Sequence, residues 1–590
     1  MHKHLLPLFF LINLLYACSS APSANKQGHH SALDSLMQAY WDERMQLFPV
    51  EATATGDNRY NDQLPVTISS SYRERCRSFY TKYLQALQQN RDTLRDEDRL
   101  NRELLGYELQ LNLDALEFPS HLIPVNQFWS FTLEFPQLGS GTGNQPFHTT
   151  HDYDQFLSRM HRFPAWVDTA IQNMREGIQT QWVLPKALIR KIIPQLRGVL
   201  ASETEKSIFY EPVKHFPEAV NPADRTRLQQ AYIKAINEDI QPAYSKLATF
   251  MEQEYLPAGR TSDGISALPQ GRNYYDFLIR YYTTTQMKSD TIYQIGLREV
   301  NRLETEMYHV KEQVGFTGSL QDFFQYLNTD KNFFPFRTAQ AILDSFRAIH
   351  KTEEPLLKTI FHMQPKTAFE IRQTEAYRAA SASAEYNPGS EDGSRPGIFY
   401  VPILNPAEFN AVGMETLFLH EAIPGHHYQI SLQQENHDLP MFRKFLSYSA
   451  YCEGWALYSE TLGRPLGLFQ NPYQYFGHLS DAMHRAIRLV VDVAIHTGQM
   501  TREQAITYMR NHERISAQEA ESEIERYMAI PGQALSYKIG QLTLIRLRER
   551  YEAKMGSAFQ LAAFHEQVLN GGNMPLDILE KKLDRWAARP

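Results

Sequence analysis

The chain has 590 residues, of which 43% are hydrophobic and 21% are charged, and its formal net charge is −8. This balance is typical of a folded globular protein and excludes a largely disordered chain. Because acidic residues outnumber basic ones, the sequence offers no broad basic surface, and we expect no nucleic-acid partner.

The N-terminus combines an early Lys3 with an apolar run over residues 5–15. Such a run is typical of a secretory signal and is too short for a membrane span. Leu15-Tyr16-Ala17-Cys18 resembles the lipobox of bacterial lipoproteins, in which the cysteine after the cut is acylated. We predict a signal peptide at residues 1–17, lipidation at Cys18, and a tether at residues 18–31 that anchors the protein to a membrane of the bacterial cell envelope. The alternative is an ordinary signal peptide with an incidental cysteine.

Apolar residues recur every three or four positions over residues 31–327, for example at 72–89 and 224–255. This period predicts successive amphipathic helices, with turns at the Pro- and Gly-containing stretches 134–146 and 256–271. We expect a mainly α-helical single domain over residues 32–590. The alternative is an N-terminal subdomain at 32–290 followed by a second subdomain at 291–590.

A short β-prone run, Gly-Ile-Phe-Tyr-Val, occupies residues 397–401 after several turn signals. It predicts a strand, and its edge can pair with an extended peptide backbone. Asn405, Pro406 and Glu408 supply an N-cap, a proline at the first helical position and an acid at the third. We predict that a helix begins here and runs into His420.

The segment His420-Glu421-Ala422-Ile423-Pro424-Gly425-His426-His427 carries metal-binding residue types. In a zinc-binding helix of this kind, two histidines one turn apart bind Zn²⁺, and the glutamate beside the first activates the bound water. Here proline stands where the second histidine is usual. On an unbroken helix His426 would lie about 120° around the axis from His420, and His427 would lie two turns away.

Pro424 and Gly425 supply the distortion that a shared metal site requires. Proline removes a backbone donor and clashes with the preceding turn, whereas glycine tolerates backbone angles that other residues avoid. A bulge of two residues would bring His426 to the usual position. We therefore predict His420 and His426 as ligands of Zn²⁺, and His427 is the alternative ligand or a group that supports the ligands or faces the substrate.

A third ligand is offered by the helical segment at residues 451–460, which follows His426 closely enough for a turn and a return helix. Glu453 and Glu460 share one face of it but lie two turns apart, so only one of them can reach the metal. The Glu-Gly-aromatic-Ala sequence is similar to the third-ligand helix of gluzincin aminopeptidases, which favours Glu453. The alternative for the whole motif is a set of histidines that binds no metal.

Four segments carry a resemblance to a known family: HEAIPGHHYQ at 420–429, EGWALYSE at 453–460, RLVVDVAIH at 488–496 and RYMAIPGQALSYKIG at 526–540. They resemble the bacterial envelope proteins of the domain of unknown function 885 family, and the resemblance extends to residues 48–57 and 60–62. It implies a large helical, gluzincin-like catalytic fold with a short β segment beside the active-site helix, a zinc site and peptidase-like chemistry. The family pattern has Thr-Gly where this chain has Val493-Ala494, which leaves the role of the third segment open.

On this interpretation the chain is a zinc metallopeptidase of the gluzincin type that acts on peptides. Glu421 is expected to take a proton from the attacking water and pass it to the leaving amine, and Tyr537 to stabilise the oxyanion. Tyr537 packed in the core is the alternative. Further candidates for substrate contact are His496 and Arg488, and Arg488 paired with Asp492 is the alternative. Arg526 or Lys538 is a candidate for binding a substrate carboxylate.

Two other functions remain open at this level. The same zinc chemistry would serve an amidase that acts on cell-wall peptides. A lipid-anchored binding protein without turnover is the third hypothesis, and the presence of Glu421 disfavours it. The sequence does not indicate the oligomeric state.

Overall fold

The protein is mainly helical. Its structure is a computed structural model that describes residues 31–90, 96–375, 379, 383–389 and 395–588. In chain order the α-helices are α1 (Ala32–Leu47), α2 (Pro49–Ala54), α3 (Ser70–Gln89), α4 (Asp96–Ala115), α5 (Phe131–Leu138), α6 (Thr150–Thr180), α7 (Lys186–Gly198), α8 (Pro222–Ala235), α9 (Gln241–Phe250), α10 (Leu256–Ala258), α11 (Gly271–Thr283), α12 (Ser289–Gln313), α13 (Leu320–Thr329), α14 (Ala339–Ile360), α15 (Met414–Glu421), α16 (His426–Glu435), α17 (Met441–Lys444), α18 (Ser449–Glu460), α19 (Pro472–Thr497), α20 (Arg502–His512), α21 (Ala517–Ala529), α22 (Leu535–Met555), α23 (Leu561–Leu569) and α24 (Leu576–Trp586). The predicted mainly α-helical fold is therefore confirmed.

The predicted signal peptide, Cys18 and nearly all of the predicted tether lie outside the described residues. Ser31 begins the described part and caps α1, since its hydroxyl accepts a hydrogen bond from the Asp34 amide at 3.0 Å. Among the described residues, no helix is both long enough and apolar enough to cross a membrane.

Most of the predicted helix and turn positions agree with the structure. Residues 72–89 lie in α3, and residues 224–255 lie in α8, α9 and two π-helical segments that form one continuous helix with α10. The predicted turn at 256–271 is wrong in its first three residues, because α10 continues this helix to Ala258. The predicted turn at 134–146 is wrong in its first part, because α5 continues through Pro136 to Leu138. Pro136 has no amide hydrogen to donate to the Thr132 carbonyl. That carbonyl instead accepts a hydrogen bond from the Tyr244 hydroxyl at 2.9 Å.

One small sheet lies beside these helices. It contains β1 (Phe369–Gln373), β2 (Glu385–Asn387) and β3 (Gly397–Val401) in the order β1-β3-β2. The predicted strand at 397–401 is confirmed. The possible pairing of this strand with a peptide substrate is not available, because β3 pairs in parallel with β1 on one side and antiparallel with β2 on the other.

The predicted helix from Asn405 to His420 is also wrong at its start. The capping signal forms only a short 3₁₀ turn, Pro406–Glu408, in which the Asn405 side chain accepts a hydrogen bond from the Ala407 amide. The next residues bind to α13, where Asn410 donates to the Leu327 carbonyl at 2.8 Å. Helix α15 starts only after Gly413, whose φ of +92° favours glycine. Tertiary contacts therefore override a local helix signal.

Two hydrophobic cores fill the structure, and both contain residues from either side of position 290. The first includes Leu33, Phe79, Trp455 and Phe564. The second includes Phe163, Tyr244, Val490 and Tyr527. The division into subdomains at 290 stays a prediction.

Helices α18 and α22 pack against each other through two glycines. A Cβ atom on Gly540 would lie 2.0 Å from the Ala450 carbonyl oxygen and 2.7 Å from the Gly454 Cα. Such distances are far below van der Waals contact, so both helix backbones would have to move apart to accept a side chain.

We predict that Gly540→Ala lowers the free energy of unfolding by about 1–3 kcal/mol, because the added methyl group forces α18 and α22 apart. Urea unfolding followed by circular dichroism measures the change. Gly198→Ala is the control, since a Cβ at Gly198 meets no atom within 4 Å. Equal stability of the two variants would contradict this account of the packing.

Candidate metal centre

The chain breaks between α15 and α16, at the place where the sequence predicts a distortion. Instead of a bulge within one helix, the structure has two helices joined by a short link, in which Gly425 adopts φ −74° and ψ −128°. A Cβ on Gly425 would lie 1.9 Å from the His420 carbonyl oxygen, so only glycine fits here. From α18, Trp455 Nε1 donates to the Pro424 carbonyl at 2.8 Å, which fixes the position of the link.

The break brings together the three residues that the sequence predicts as ligands. His420 lies in the last turn of α15, His426 begins α16 and Glu453 lies on α18. One potential ligand atom from each residue lies within 4.8 Å of the others. Oε2 of Glu453 lies 3.6 Å from His420 Nε2 and 3.5 Å from His426 Nε2.

These three side chains fit a tetrahedral zinc ion. Bonds of 2.0–2.1 Å place two tetrahedral ligands about 3.4 Å apart, close to the two separations from Glu453 Oε2. Oε2 of Glu453 is buried, and among the described residues it has no hydrogen-bond partner. A buried carboxylate oxygen without a donor is costly, and a cation between the three groups would remove that cost.

Glu460 holds the ring of His420 from the side away from Glu453. Its Oε1 lies 2.8 Å from His420 Nδ1, and the carboxylate is only 1% exposed. A carboxylate that binds one ring nitrogen leaves the other nitrogen directed at the metal and fixes the tautomer. His478 adds a further contact, with its Nδ1 3.6 Å from Glu460 Oε2. Glu460 is therefore a residue that positions His420 and not a ligand.

The electrostatics of this cluster favour a cation. Burial alone would lower the pKa of His420, but the neighbouring carboxylates of Glu453 and Glu460 outweigh burial and raise the pKa to about 10. Burial would raise the pKa of Glu453, but the two histidines hold it well below its usual range. Two carboxylates thus create a strong negative potential at the point where the three ligand atoms meet.

The carboxylate of Glu421, the predicted base, is held by the small sheet. Its Oε2 accepts a hydrogen bond from the Tyr386 amide of β2 at 2.9 Å. Burial raises the pKa of Glu421 above its ordinary value, and the positive charge of His420 opposes this shift. A carboxylate with a raised pKa is a better proton acceptor at neutral pH than an ordinary one.

His427, the alternative ligand, points away from His420. Its Nδ1 lies 2.9 Å from the Tyr386 hydroxyl and 3.4 Å from the Ser431 hydroxyl. Burial lowers its pKa to about 4, so its ring is neutral at physiological pH. Tyr386 therefore joins His427 to Glu421 through its hydroxyl and its amide. The structure brings His426, and not His427, to His420 and Glu453.

Tyr537, the predicted oxyanion donor, lies near the contact between α18 and α22. Its hydroxyl accepts a hydrogen bond from Arg526 at 3.3 Å, and its ring lies 4.6 Å from the Arg488 guanidinium. The neighbouring Ser536 hydroxyl is 2.7 Å from that of Ser449, one turn before Glu453.

Three other residues that were candidates for substrate contact have partners within the protein. The pairing of Arg488 with Asp492 is wrong: Arg488 binds Glu523 at 3.1 Å, whereas Asp492 accepts hydrogen bonds from Tyr275 and Gly532. His496 is fully buried between the Ile265 amide and the Tyr527 carbonyl, so it cannot contact a substrate. Lys538 is also buried, and it donates to Gln541 at 2.8 Å.

A cleft of about 620 Å³ opens beside β2. Its lining includes Tyr386 and Asn387 of β2 and, from the opposite side, Phe131 and Glu134 of α5. A second pocket of about 400 Å³ shares Phe131 and Glu134 with it and is lined mostly by apolar residues. We call these two adjoining pockets the groove, and the first of them is lined by Tyr386, whose amide binds Glu421.

Sequence reasoning missed Tyr386 and His478 and did not give Glu460 its role. Tyr386 lies in a turn-rich segment with no motif of its own, and its contact to Glu421 depends on the pairing of β2 with β3. Glu460 had a usable signal, because it lies two turns after Glu453 on the same helix face and cannot reach the same metal ion.

We predict that Glu460→Gln weakens zinc binding by about 10- to 100-fold, because the amide holds the His420 ring less firmly than a carboxylate does. Chelator competition with the purified protein measures the affinity. The control is Glu503→Gln on α20, whose side chain is 72% exposed. Unchanged affinity in Glu460→Gln would contradict the positioning role.

Comparison with known proteins gives a fold and a family. The chain is similar to the crystal structure of a "putative lipoprotein" from Colwellia psychrerythraea, with a TM-score of 0.86 and 26% identity over 94% of this chain and 98% of that one. It shares its fold with a "putative lipoprotein of unknown function" from Shewanella oneidensis, with a TM-score of 0.74 and 20% identity over 94% of this chain and 100% of that one. No curated protein matches. The model of the family described as bacterial protein of unknown function (DUF885) matches residues 49–583, and the protein therefore belongs to this family.

Proposed function

We propose that the protein is a zinc-dependent metallopeptidase of the gluzincin type that hydrolyses peptides in the bacterial cell envelope. The observation that carries the proposal is the convergence of His420, His426 and Glu453, with their ligand atoms within 4.8 Å of one another. Two histidines and a glutamate are the ligand set of catalytic zinc sites that hydrolyse peptide bonds.

A zinc ion held by these residues would lower the pKa of a bound water toward neutrality and polarise a peptide carbonyl. Glu421 takes the proton as water attacks the carbonyl carbon and then gives it to the amine that leaves. The Tyr386 amide holds the Glu421 carboxylate in one orientation, so that one carboxylate oxygen can both take the proton and return it.

Tyr537 is our candidate for stabilising the negative oxygen of the intermediate. Its oxygen already accepts a hydrogen bond from Arg526, so its own proton is available to another acceptor. The residue before Tyr537, Ser536, contacts Ser449 on α18, the helix that carries Glu453. A donor aimed at the oxyanion contributes about 2.7–4 kcal/mol to such reactions.

We expect purified protein to contain about one zinc per chain, and His420→Ala to lose it. Glu421→Gln should keep the zinc, because Glu421 is not a ligand, and should slow hydrolysis by about 10²- to 10⁴-fold because the base is lost. Metal analysis and digestion of a peptide library with and without chelator, read by mass spectrometry, measure both effects.

The outcomes of this digestion separate the three hypotheses. Cleavage of ordinary peptide bonds supports the peptidase. Cleavage restricted to cell-wall peptides would identify an amidase, and binding without any cleavage would identify a binding protein. An active Glu421→Gln variant would refute the proposed base.

We also propose that Cys18 carries the lipid anchor, in line with the lipoprotein name of the similar Colwellia protein. Cys18→Ala should release the protein from membranes, because the acyl chains supply the affinity. Membrane fractionation of the cells that produce each form measures this. Unchanged membrane association would contradict the anchor.

A further inference from the structure

Two arginines from different helices converge on Tyr537. Arg526 of α21 donates to the Tyr537 hydroxyl at 3.3 Å, and the guanidinium of Arg488, from α19, lies 4.6 Å from the centre of the Tyr537 ring. Arg526 also reaches Gln533 at 3.3 Å. We call Arg488, Arg526 and Tyr537 the arginine pair site.

The arginine pair site has more positive than negative charge. Both guanidinium groups share one carboxylate, that of Glu523, at 3.1 Å from Arg488 and 3.5 Å from Arg526. The neighbouring His484 lies 2.9 Å from a second carboxylate, that of Glu513, and 3.4 Å from Glu523. One guanidinium charge therefore remains without a matching carboxylate in the contacts of this site.

Donors at this site also lack acceptors. Nη1 of Arg488 and Nε of Arg526 are buried, and among the described residues neither has a hydrogen-bond partner. The Arg488 residue is only 4% exposed. A buried charged donor without an acceptor is unfavourable, so these atoms favour an anionic ligand that supplies acceptors.

The arginine pair site adjoins the groove on one side and the packing of α22 against α18 on the other. The Arg526 guanidinium lies 4.8 Å from the ring of Phe128, which is 46% exposed, and the adjacent Trp129 lines the apolar pocket of the groove. On the other side, Tyr537 is one turn from Gly540, which touches Gly454, the residue after Glu453. The site is therefore linked to the groove through Phe128 and Trp129, and to the helix that carries Glu453 through the packing of α22.

We propose that Arg526, supported by Arg488 and Tyr537, binds the free C-terminal carboxylate of the peptide substrate, so that the protein cleaves close to a peptide C-terminus. The proposal rests on the function proposed above and adds the substrate class. The planar guanidinium presents two parallel donors that match the two oxygens of a carboxylate, which a lysine cannot do.

Binding to the full-length, zinc-loaded Glu421→Gln protein tests this without turnover. A tetrapeptide library is prepared in two forms, with a free carboxylate and with a C-terminal amide, and retention of each is measured by equilibrium dialysis and mass spectrometry. We expect the free acids to bind about 10- to 100-fold more tightly, the effect of a charged hydrogen-bonded pair. Adding Arg526→Gln should reduce the affinity for the acids to that for the amides.

Control variants separate this role from a structural one. Arg510→Gln, at an exposed position on α20, should leave the preference for free acids unchanged. Arg526→Lys keeps the charge but not the two parallel donors, so it should recover only part of the preference. If Arg526→Gln fails to fold, the affinities of the Arg526→Lys variant for the free acids and for the amides still test whether Arg526 binds the carboxylate.

Equal binding of acids and amides, or retention of neither form, would overturn the proposal. So would tighter binding only of amidated peptides with Asp or Glu side chains, because the site would then bind an acidic side chain. A preference for free acids in a protein whose unsubstituted form cleaves no peptide would instead refute the peptidase function and leave the carboxylate site standing.

Discussion

The candidate metal centre depends on the break between α15 and α16. Without it, His420 and His426 would lie on different sides of one helix and could not share an ion. The break is kept by two constraints: Gly425 packs against the His420 carbonyl where no side chain fits, and Trp455 of α18 donates to the Pro424 carbonyl. Helix α18, which supplies the third candidate ligand, therefore also stabilises the break between α15 and α16.

Helix α18 contacts both the candidate ligands and the link between α15 and α16. Glu453 faces the two histidines, Trp455 and Ser459 donate to the Pro424 carbonyl, and Glu460 binds His420 Nδ1. Because one helix makes these contacts, a small shift of α18 would alter the ligands and the link together. Its close packing with α22 at Gly454 and Gly540 limits such shifts and places Tyr537 nearby.

The small sheet has a different role from the one its sequence suggests. Its central strand β3 is paired on both sides, so the strand does not offer a free edge. Strand β3 instead pairs with β2, and Tyr386 of β2 binds Glu421 through its amide and His427 through its hydroxyl. The histidine that is excluded from the ligand cluster thus helps to hold the residue that orients the proposed base.

Local sequence patterns predicted much of this structure. The helical periodicity gave the fold class, and the Pro424-Gly425 pair with three nearby histidines indicated where the helix must break. The start of α15, the pairing of β3 and the partners of Arg488 and Asp492 could not be predicted, because each is set by residues distant in the chain. Glu523, for example, binds Arg488 from a different helix, whereas the i,i+4 rule considers only one helix.

The central claim is that His420, His426 and Glu453 hold one zinc ion. X-ray absorption spectroscopy at the zinc edge tests it most directly. Our account predicts two imidazole nitrogens at about 2.0–2.1 Å and carboxylate oxygen at a similar distance. One imidazole contribution should be lost in His426→Ala and kept in His427→Ala. Loss in His427→Ala instead, or a zinc environment without imidazole, would contradict the account.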